Sequence, residues 1–169
     1  AMERVRSGGS GSHWIVAGEQ NKGRGRHGRV WTSPPGNRYA SLTLVNPCSA
    51  ATGFQLGFVA ALSIYSAVEA SGVDRKLLGL KWPNDVLVQS EKISGLLAEV
   101  LPDGKGVVIG AGLNLKQTKA ELPIENATSL YLHGVQGFQL DDILVRYLAS
   151  LKRLYEEFAD AKGNAEESG

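Results

Sequence analysis

From Leu78 to Ile109 the chain reads LGLKWPNDVLVQSEKISGLLAEVLPDGKGVVI, and this stretch decides the fold. Leu78–Lys81 and Val86–Val88 are apolar runs too short for helices, divided by Trp82-Pro83-Asn84-Asp85. Pro83 has no N–H to offer a ladder, so it ends one strand and turns the chain. Lys92–Val100 and Gly106–Ile109 read as a second pair of strands, reversing at Pro102-Asp103-Gly104, residues suited to a hairpin turn. Strands joined by such short turns run antiparallel, because a parallel pair needs a crossover of about a dozen residues or more. An α+β arrangement is therefore expected in preference to a strictly alternating α/β chain.

Working outward, His13–Ala17 and Tyr39–Val45 also read as strands. Thr52–Ala70 has no proline and carries apolar residues on nearly every face, among them Phe54, Leu56, Phe58, Val59, Leu62, Ile64 and Val68. That pattern predicts a largely buried helix, ended by Ser71-Gly72. Asn114–Asn126 is polar and irregular. A second helix is expected over Asp141–Phe158, where Leu144, Tyr147, Leu148, Leu151, Leu154, Tyr155 and Phe158 share a stripe and Asp141 or Asp142 is placed to cap. Residues 159–169 are mostly small or charged and are expected to fray. The fold class expected is α+β, with a mixed, largely antiparallel sheet flanked by helices.

The 169 residues suit one domain. Apolar residues make up 43% and charged residues 21%, the profile of an ordinary globular chain. Cys48 is the single cysteine, so no internal disulfide and no cysteine-based zinc site can form. A reducing, cytoplasmic setting fits that count. The 18 Lys and Arg against 17 Asp and Glu give a net charge of +1, which argues against a globally phosphate-coating surface. No apolar run reaches the ~18 residues of a membrane span, and no membrane partner is expected. Ala1–Gly8 is charged and polar, unlike a secretory signal. Ser7–Ser12 reads as either an engineered linker or a native flexible loop.

Gly23-Arg24-Gly25-Arg26-His27-Gly28-Arg29 is the most unusual segment, within a longer loop spanning Gln20–Gly36. It matches Gly-x-Gly-x-x-Gly, a dinucleotide-binding fingerprint, but that fingerprint should open a helix. Here Val30-Trp31-Thr32-Ser33-Pro34-Pro35-Gly36 follows, and Ala40–Val45 holds no acid to take a ribose hydroxyl. The glycines allow close backbone approach to a ligand. Arg24, Arg26 and Arg29, with Lys22 beside them, concentrate positive charge in a nearly neutral chain. Arginine binds carboxylate or phosphate through two parallel contacts, and such a loop is expected to be mobile when empty and ordered by an anion. A solvated basic loop or a nucleic-acid patch is the alternative.

Lys81-Trp82-Pro83-Asn84-Asp85 places Asn84 and Asp85 at a strand end, where they either position a phosphate-bound metal or an amine, or form an ordinary Asx turn. Gly95, inside the strand begun by Lys92, marks a bulge or a close ligand approach.

Together these segments resemble the biotin–protein ligase family. Gly23–Trp31 matches its Gly-Arg-Gly-Arg-x-Gly-Arg-x-Trp motif, Lys81–Asp85 its Lys-Trp-Pro-Asn-Asp, and Lys92–Leu97 its Lys-x-(Gly/Ala/Ser)-Gly-(Ile/Leu)-Leu. Ile109–Asn114 matches a later Ile-Gly-x-Gly-(Ile/Leu)-Asn, and Ala127-Thr128-Ser129-Leu130 resembles the segment after it. The resemblance implies a catalytic domain related in fold to the class II aminoacyl-tRNA synthetases. It implies ATP-dependent activation of biotin to biotinyl-5′-AMP and transfer to a lysine of a biotin carboxyl carrier protein, with ATP and Mg²⁺ required. The implied biotin contacts are Gln20, Gly23, Arg24, Gly25, Arg26, Trp31, Tyr39, Lys92 and Gly95. The implied ATP contacts are Arg26, Arg29, Trp31, Asn84, Lys92 and Asn114. Lys92, Arg24, Arg26 and Asp85 carry the chemistry on this reading; no protein-held metal site is expected, and His13, His27 and His133 have no role.

Lipoate–protein ligation, on the same fold, and a non-enzymatic nucleic-acid-binding module are the rival functions. The family's Ser/Thr-Thr-Asn segment and small C-terminal β domain find no match. The expectation is a catalytic domain over residues 1–158 with an incomplete N-terminal edge and a tail at 159–169. No DNA-binding helix-turn-helix is visible, no nucleic-acid partner is expected, and the oligomeric state is open, a homodimer included.

Overall fold

A computed structural model describes residue 1 and residues 11–45, 50–101 and 106–167. Cys48, most of Ser7–Ser12 and the Pro102-Asp103-Gly104 turn lie outside the described residues. The elements are β1 (His13–Ala17), β2 (Arg38–Val45), α1 (Ala50–Glu69), β3 (Leu78–Lys81), β4 (Asp85–Val88), β5 (Glu91–Val100), β6 (Gly106–Leu113) and α2 (Leu140–Glu167). Short 3-10 turns stand at Arg26–Gly28, Arg75–Leu77, Lys119–Glu121 and Tyr131–His133.

The strands form a six-stranded sheet in the order β1-β2-β6-β5-β4-β3. Each strand pairing is antiparallel, which sharpens the expected mixed sheet. The parallel contact among the described residues is an isolated bridge between Lys92 and Ala127. Two-residue alternation gives the sheet two faces. Ala40 of β2, Leu96 of β5, and Val107, Ile109 and Leu113 of β6 belong to the buried core with Leu56, Ile64 and Val68 of α1. Helix α2 packs on α1 and adds Ile143, Tyr147 and Leu151 to the same cluster. Its Tyr147 ring stands edge-on to Trp14 of β1, with centroids 5.7 Å apart. Both helices therefore cover one face and leave the other for a ligand. Burial pushes the Tyr147 phenol well above its ordinary pKa, and its hydroxyl has no hydrogen-bond partner.

Most element ends fall within two residues of the sequence reading, and the larger differences lie in β6 and α2. Strand β6 runs through Gly110–Leu113, past Ile109. Glycine disfavours a strand, but here β2 and β5 pair with β6 on both sides and hold it extended. Helix α2 continues past Phe158 to Glu167, through residues expected to fray. Ala159, Ala161, Lys162, Ala165, Glu166 and Glu167 are good helix formers, and they outweigh Gly163 and Asn164. Neither Asp141 nor Asp142 occupies the cap position, since α2 starts one residue earlier. The Asp142 carboxylate reaches back to accept from the Gln139 N–H at 3.3 Å. Asp141 instead accepts from Arg38 Nε and Nη2 at 3.1 and 2.9 Å. Among the described residues no helix is long and apolar enough to cross a membrane.

Candidate active site

The helix-free face of the sheet carries a cavity of about 1250 Å³. Its floor comes from strand alternation: Gly95, Leu97 and Glu99 of β5 and Gly110 and Gly112 of β6 all line it. The Trp31 indole lies directly on this floor. A Cβ at Gly95 would fall 2.8 Å from Trp31 Cζ3, and one at Gly112 only 2.6 Å from Trp31 Nε1. Only glycine lets the ring come this close. Trp31 Nε1 is buried without a hydrogen-bond partner.

The arginine–glycine segment folds over the cavity as a small hairpin. The Trp31 N–H donates to the Gly23 carbonyl at 3.0 Å and the Gly25 N–H to the Arg29 carbonyl at 2.7 Å, with Arg24 bridged to Val30. Its tip is the 3-10 turn Arg26–Gly28, where His27 adopts a left-handed φ of 55°. No helix follows, so the dinucleotide-fingerprint geometry is absent. Ser33 Oγ anchors the base, 2.9 Å from Gln20 Oε1 and 3.1 Å from the Trp31 carbonyl. Arg24 Nη2 lies 2.8 Å from Glu99 Oε2. Lys22, Arg26 and Arg29 line the cavity and have no ion-pair partner among the described residues.

At the other end of β5, Lys92 Nζ lies 2.6 Å from Asp85 Oδ1, each side chain only 19% exposed. Asp85 Oδ1 has no aligned hydrogen bond, so the pair is held by charge more than by direction. Lys92 Nζ is also 5.0 Å from the Trp31 ring centroid, within cation–π range. A slip in the β4–β5 register creates this arrangement. Val86 pairs with Ser94 but Leu87 with Lys92, leaving Ile93 as the extra residue. Bulges re-aim side chains in this way, so the expected irregularity near Gly95 is present, two residues upstream. The Lys92 main chain is fixed by bonds to Asn126 and Thr128, at 3.0 and 2.9 Å. Lys119 secures that neighbouring segment through Glu91 and the carbonyls of Glu125 and Ala127.

Asn84 and Asn114 line the same cavity. Their amide nitrogens donate to the carbonyls of Leu96 and Thr128, at 2.8 and 3.1 Å, which orients both side chains. The cavity thus gathers Gln20, Gly23, Arg24, Gly25, Arg26, Arg29, Trp31, Asn84, Asp85, Lys92, Gly95 and Asn114 from four separate stretches of chain. Tyr39 is not among the lining residues. It is 2% exposed, and its hydroxyl donates to the Pro34 carbonyl at 2.9 Å while accepting from Asn37. Burial raises the Tyr39 pKa, partly offset by hydrogen bonds with Asn37 and Ser33. It supports the base of the loop and does not wall the cavity. Glu99, Leu97, Pro123 and Ile124 line the cavity without having been singled out. Glu99 was detectable: it lies two and four residues past Leu97 and Gly95, on the same strand face.

The cavity therefore joins a basic hairpin, a lysine–carboxylate pair and an aromatic ring on a glycine floor, which suits an anionic ligand with an apolar body. Among the described residues no group of three or more His, Cys, Asp or Glu is placed to hold a metal ion. A family model described as the biotin/lipoate A/B protein ligase family matches residues 7–114. A biotin--[acetyl-CoA-carboxylase] ligase of Paracoccus denitrificans is 44% identical over 109 residues, covering 63% of this chain and 45% of that protein. Among solved structures, a biotin protein ligase of Aquifex aeolicus in complex with biotin and ATP aligns with a TM-score of 0.74 at 33% identity, covering 86% of this chain and 61% of that one. A Leishmania major biotin protein ligase in complex with biotinyl-5-AMP aligns with a TM-score of 0.71 at 26% identity, covering 94% and 74%. The chain spans about half the length of the curated relatives it matches.

Proposed function

The chain belongs to the biotin/lipoate A/B protein ligase family, and from that membership we propose that it activates biotin with ATP and passes it to a lysine of a biotin carboxyl carrier protein. The observation that carries this reading is Lys92, paired with Asp85 at 2.6 Å beside the Trp31 ring on the glycine floor. An apolar ring system can lie against the Trp31 indole, which itself rests on Gly95 and Gly112, while its carboxylate reaches Lys92.

In the first step a biotin carboxylate oxygen bonds to the α-phosphorus of ATP, and the bond to pyrophosphate breaks. Two anions must approach, so fixed positive charge in a partly dry cavity lowers the barrier. Lys92 and Arg26 supply it, and Arg29 takes further phosphate charge. In the second step the acceptor amine bonds to the anhydride carbonyl and AMP leaves. Asp85 is the carboxylate placed to take the proton the amine sheds. The hairpin excludes water from the anhydride in between. No enzyme nucleophile takes part.

A Mg²⁺ ion accompanying ATP fits the hard oxygen donors present. Its phosphates and water would hold it, with the amide oxygens of Asn84 and Asn114 as its protein contacts, and it would neutralise phosphate charge. A cytoplasmic location matches an ATP-dependent reaction and the lone cysteine.

Pyrophosphate release from protein mixed with ATP and either biotin or lipoate tests the proposal. Release with biotin is expected. Release with lipoate alone would transfer the assignment to lipoate ligation.

A further inference from the structure

Arg24 and Glu99 form an ion pair that the proposed reaction does not use. Arg24 Nη2 sits 2.8 Å from Glu99 Oε2, joining positions 75 residues apart. Glu99 lies on the cavity face of β5, four residues beyond Gly95, or roughly 13 Å at ~3.3 Å per strand residue. The Lys92 side chain lies against Gly95: a Cβ there would be 2.9 Å from Lys92 Cε. The Arg24 guanidinium is thus held towards the far end of the cavity from Lys92, and its charge is already matched. Arg24 is also the residue whose backbone pairs with Val30 across the hairpin, between the Gly23 carbonyl and Gly25 N–H bonds. Wherever this side chain is fixed, the hairpin is fixed too.

We propose that Glu99 is a positioning residue that braces the arginine–glycine hairpin in its closed position, and that Arg24 acts through this brace and not as a cation on the substrate. This rests on the ligase reading for its catalytic consequence. The division of labour is then clear. Arg26 and Arg29, with no ion-pair partner among the described residues, meet the anionic ligand. Arg24 sets where their backbone stands. The pair is partly exposed, 56% at Arg24 and 30% at Glu99, so breaking it should change the closed population by about two- to fivefold and no more.

The test has two arms on the whole protein. In the first, amide hydrogen exchange at Gly25 and Trp31 is measured without ligand in the wild type, E99Q, and the charge swap R24E/E99R. Exchange two to five times faster in E99Q, returned towards wild type in the swap, is expected; equal rates in all three would overturn the brace. In the second, release of biotinyl-5′-AMP is followed beside single-turnover pyrophosphate formation. E99Q should speed release more than it slows pyrophosphate formation, and the swap should recover retention. If E99Q is silent while the swap makes no pyrophosphate, Arg24 acts on the substrate and the brace is wrong. If the wild type makes no adenylate at all, the ligase reading fails, and the exchange arm still judges the brace.

Discussion

Lys92 is held from three directions: by Asp85 through charge, by Trp31 through its ring face, and by Asn126 and Thr128 through its main chain. Its side chain carries little of the core, so Lys92→Ala should slow pyrophosphate formation by about 10²–10³, the scale of losing one preorganised charge contact, with a smaller loss of thermal stability from leaving the Asp85 carboxylate unpaired. A large loss of melting temperature with adenylation intact would make Lys92 structural. Arg26 stands differently, at the start of the hairpin's 3-10 tip. Arg26→Gly removes a charge and adds backbone freedom, so biotinyl-5′-AMP should appear in solution, detectable in a filtrate; unchanged retention would refute that role. These residues were readable from sequence because each lies in a short motif whose residue types are chemically unusual together. Tyr39 lies away from the cavity lining for a physical reason. Its neighbours Asn37 and Pro34 bind its hydroxyl beneath the loop, and nothing in local sequence announces that partnership.

At the scale of elements, β5 links core to site. Lys92 and Gly95 face the cavity, while Ile93, the residue left over by the register slip, is fully buried. Ile93→Ala should therefore cost about 2–5 kcal/mol and Ile93→Val about 0.5–1.5 kcal/mol, measured by urea unfolding. Because the buried side chain anchors the bulge, the alanine variant should also lose adenylation beyond what its folded fraction explains; a loss matching that fraction would separate packing from the site. Strands β1 and β3 could be read straight from sequence, as apolar runs bounded by turn residues. The second half of β6 could not, because Gly110 and Gly112 are poor strand formers locally and are held by neighbours from β2 and β5. The end of α2 was hidden in the opposite way, since the polar composition after Phe158 concealed good helix propensity.

For the molecule as a whole, ligand binding couples cavity to fold. Biotin at 100 times its dissociation constant should add about 2.7 kcal/mol, a rise of roughly 5–10 °C in melting temperature for a domain of this size, and ATP at the same saturation should add a similar increment. A thermal-shift titration checks this. No rise with both ligands, joined to salt-sensitive RNA or DNA binding, would favour the basic-patch alternative. Strand order has its own bearing on when such a cavity can exist. β2, which follows the arginine–glycine hairpin, lies beside β6, and Val45 of β2 pairs with Gly106 while Arg38 pairs with Leu113. On a ribosome, about 70 residues must be added after β2 before its partner is complete, some 3–14 s at ~5–20 residues per second. During that interval β2 has β1 on one edge only and the hairpin has no floor to close against. Nascent chains of this protein should expose that β2 edge to chaperones and gain any capacity to shelter a reactive anhydride abruptly, late in synthesis, when β6 docks between β2 and β5.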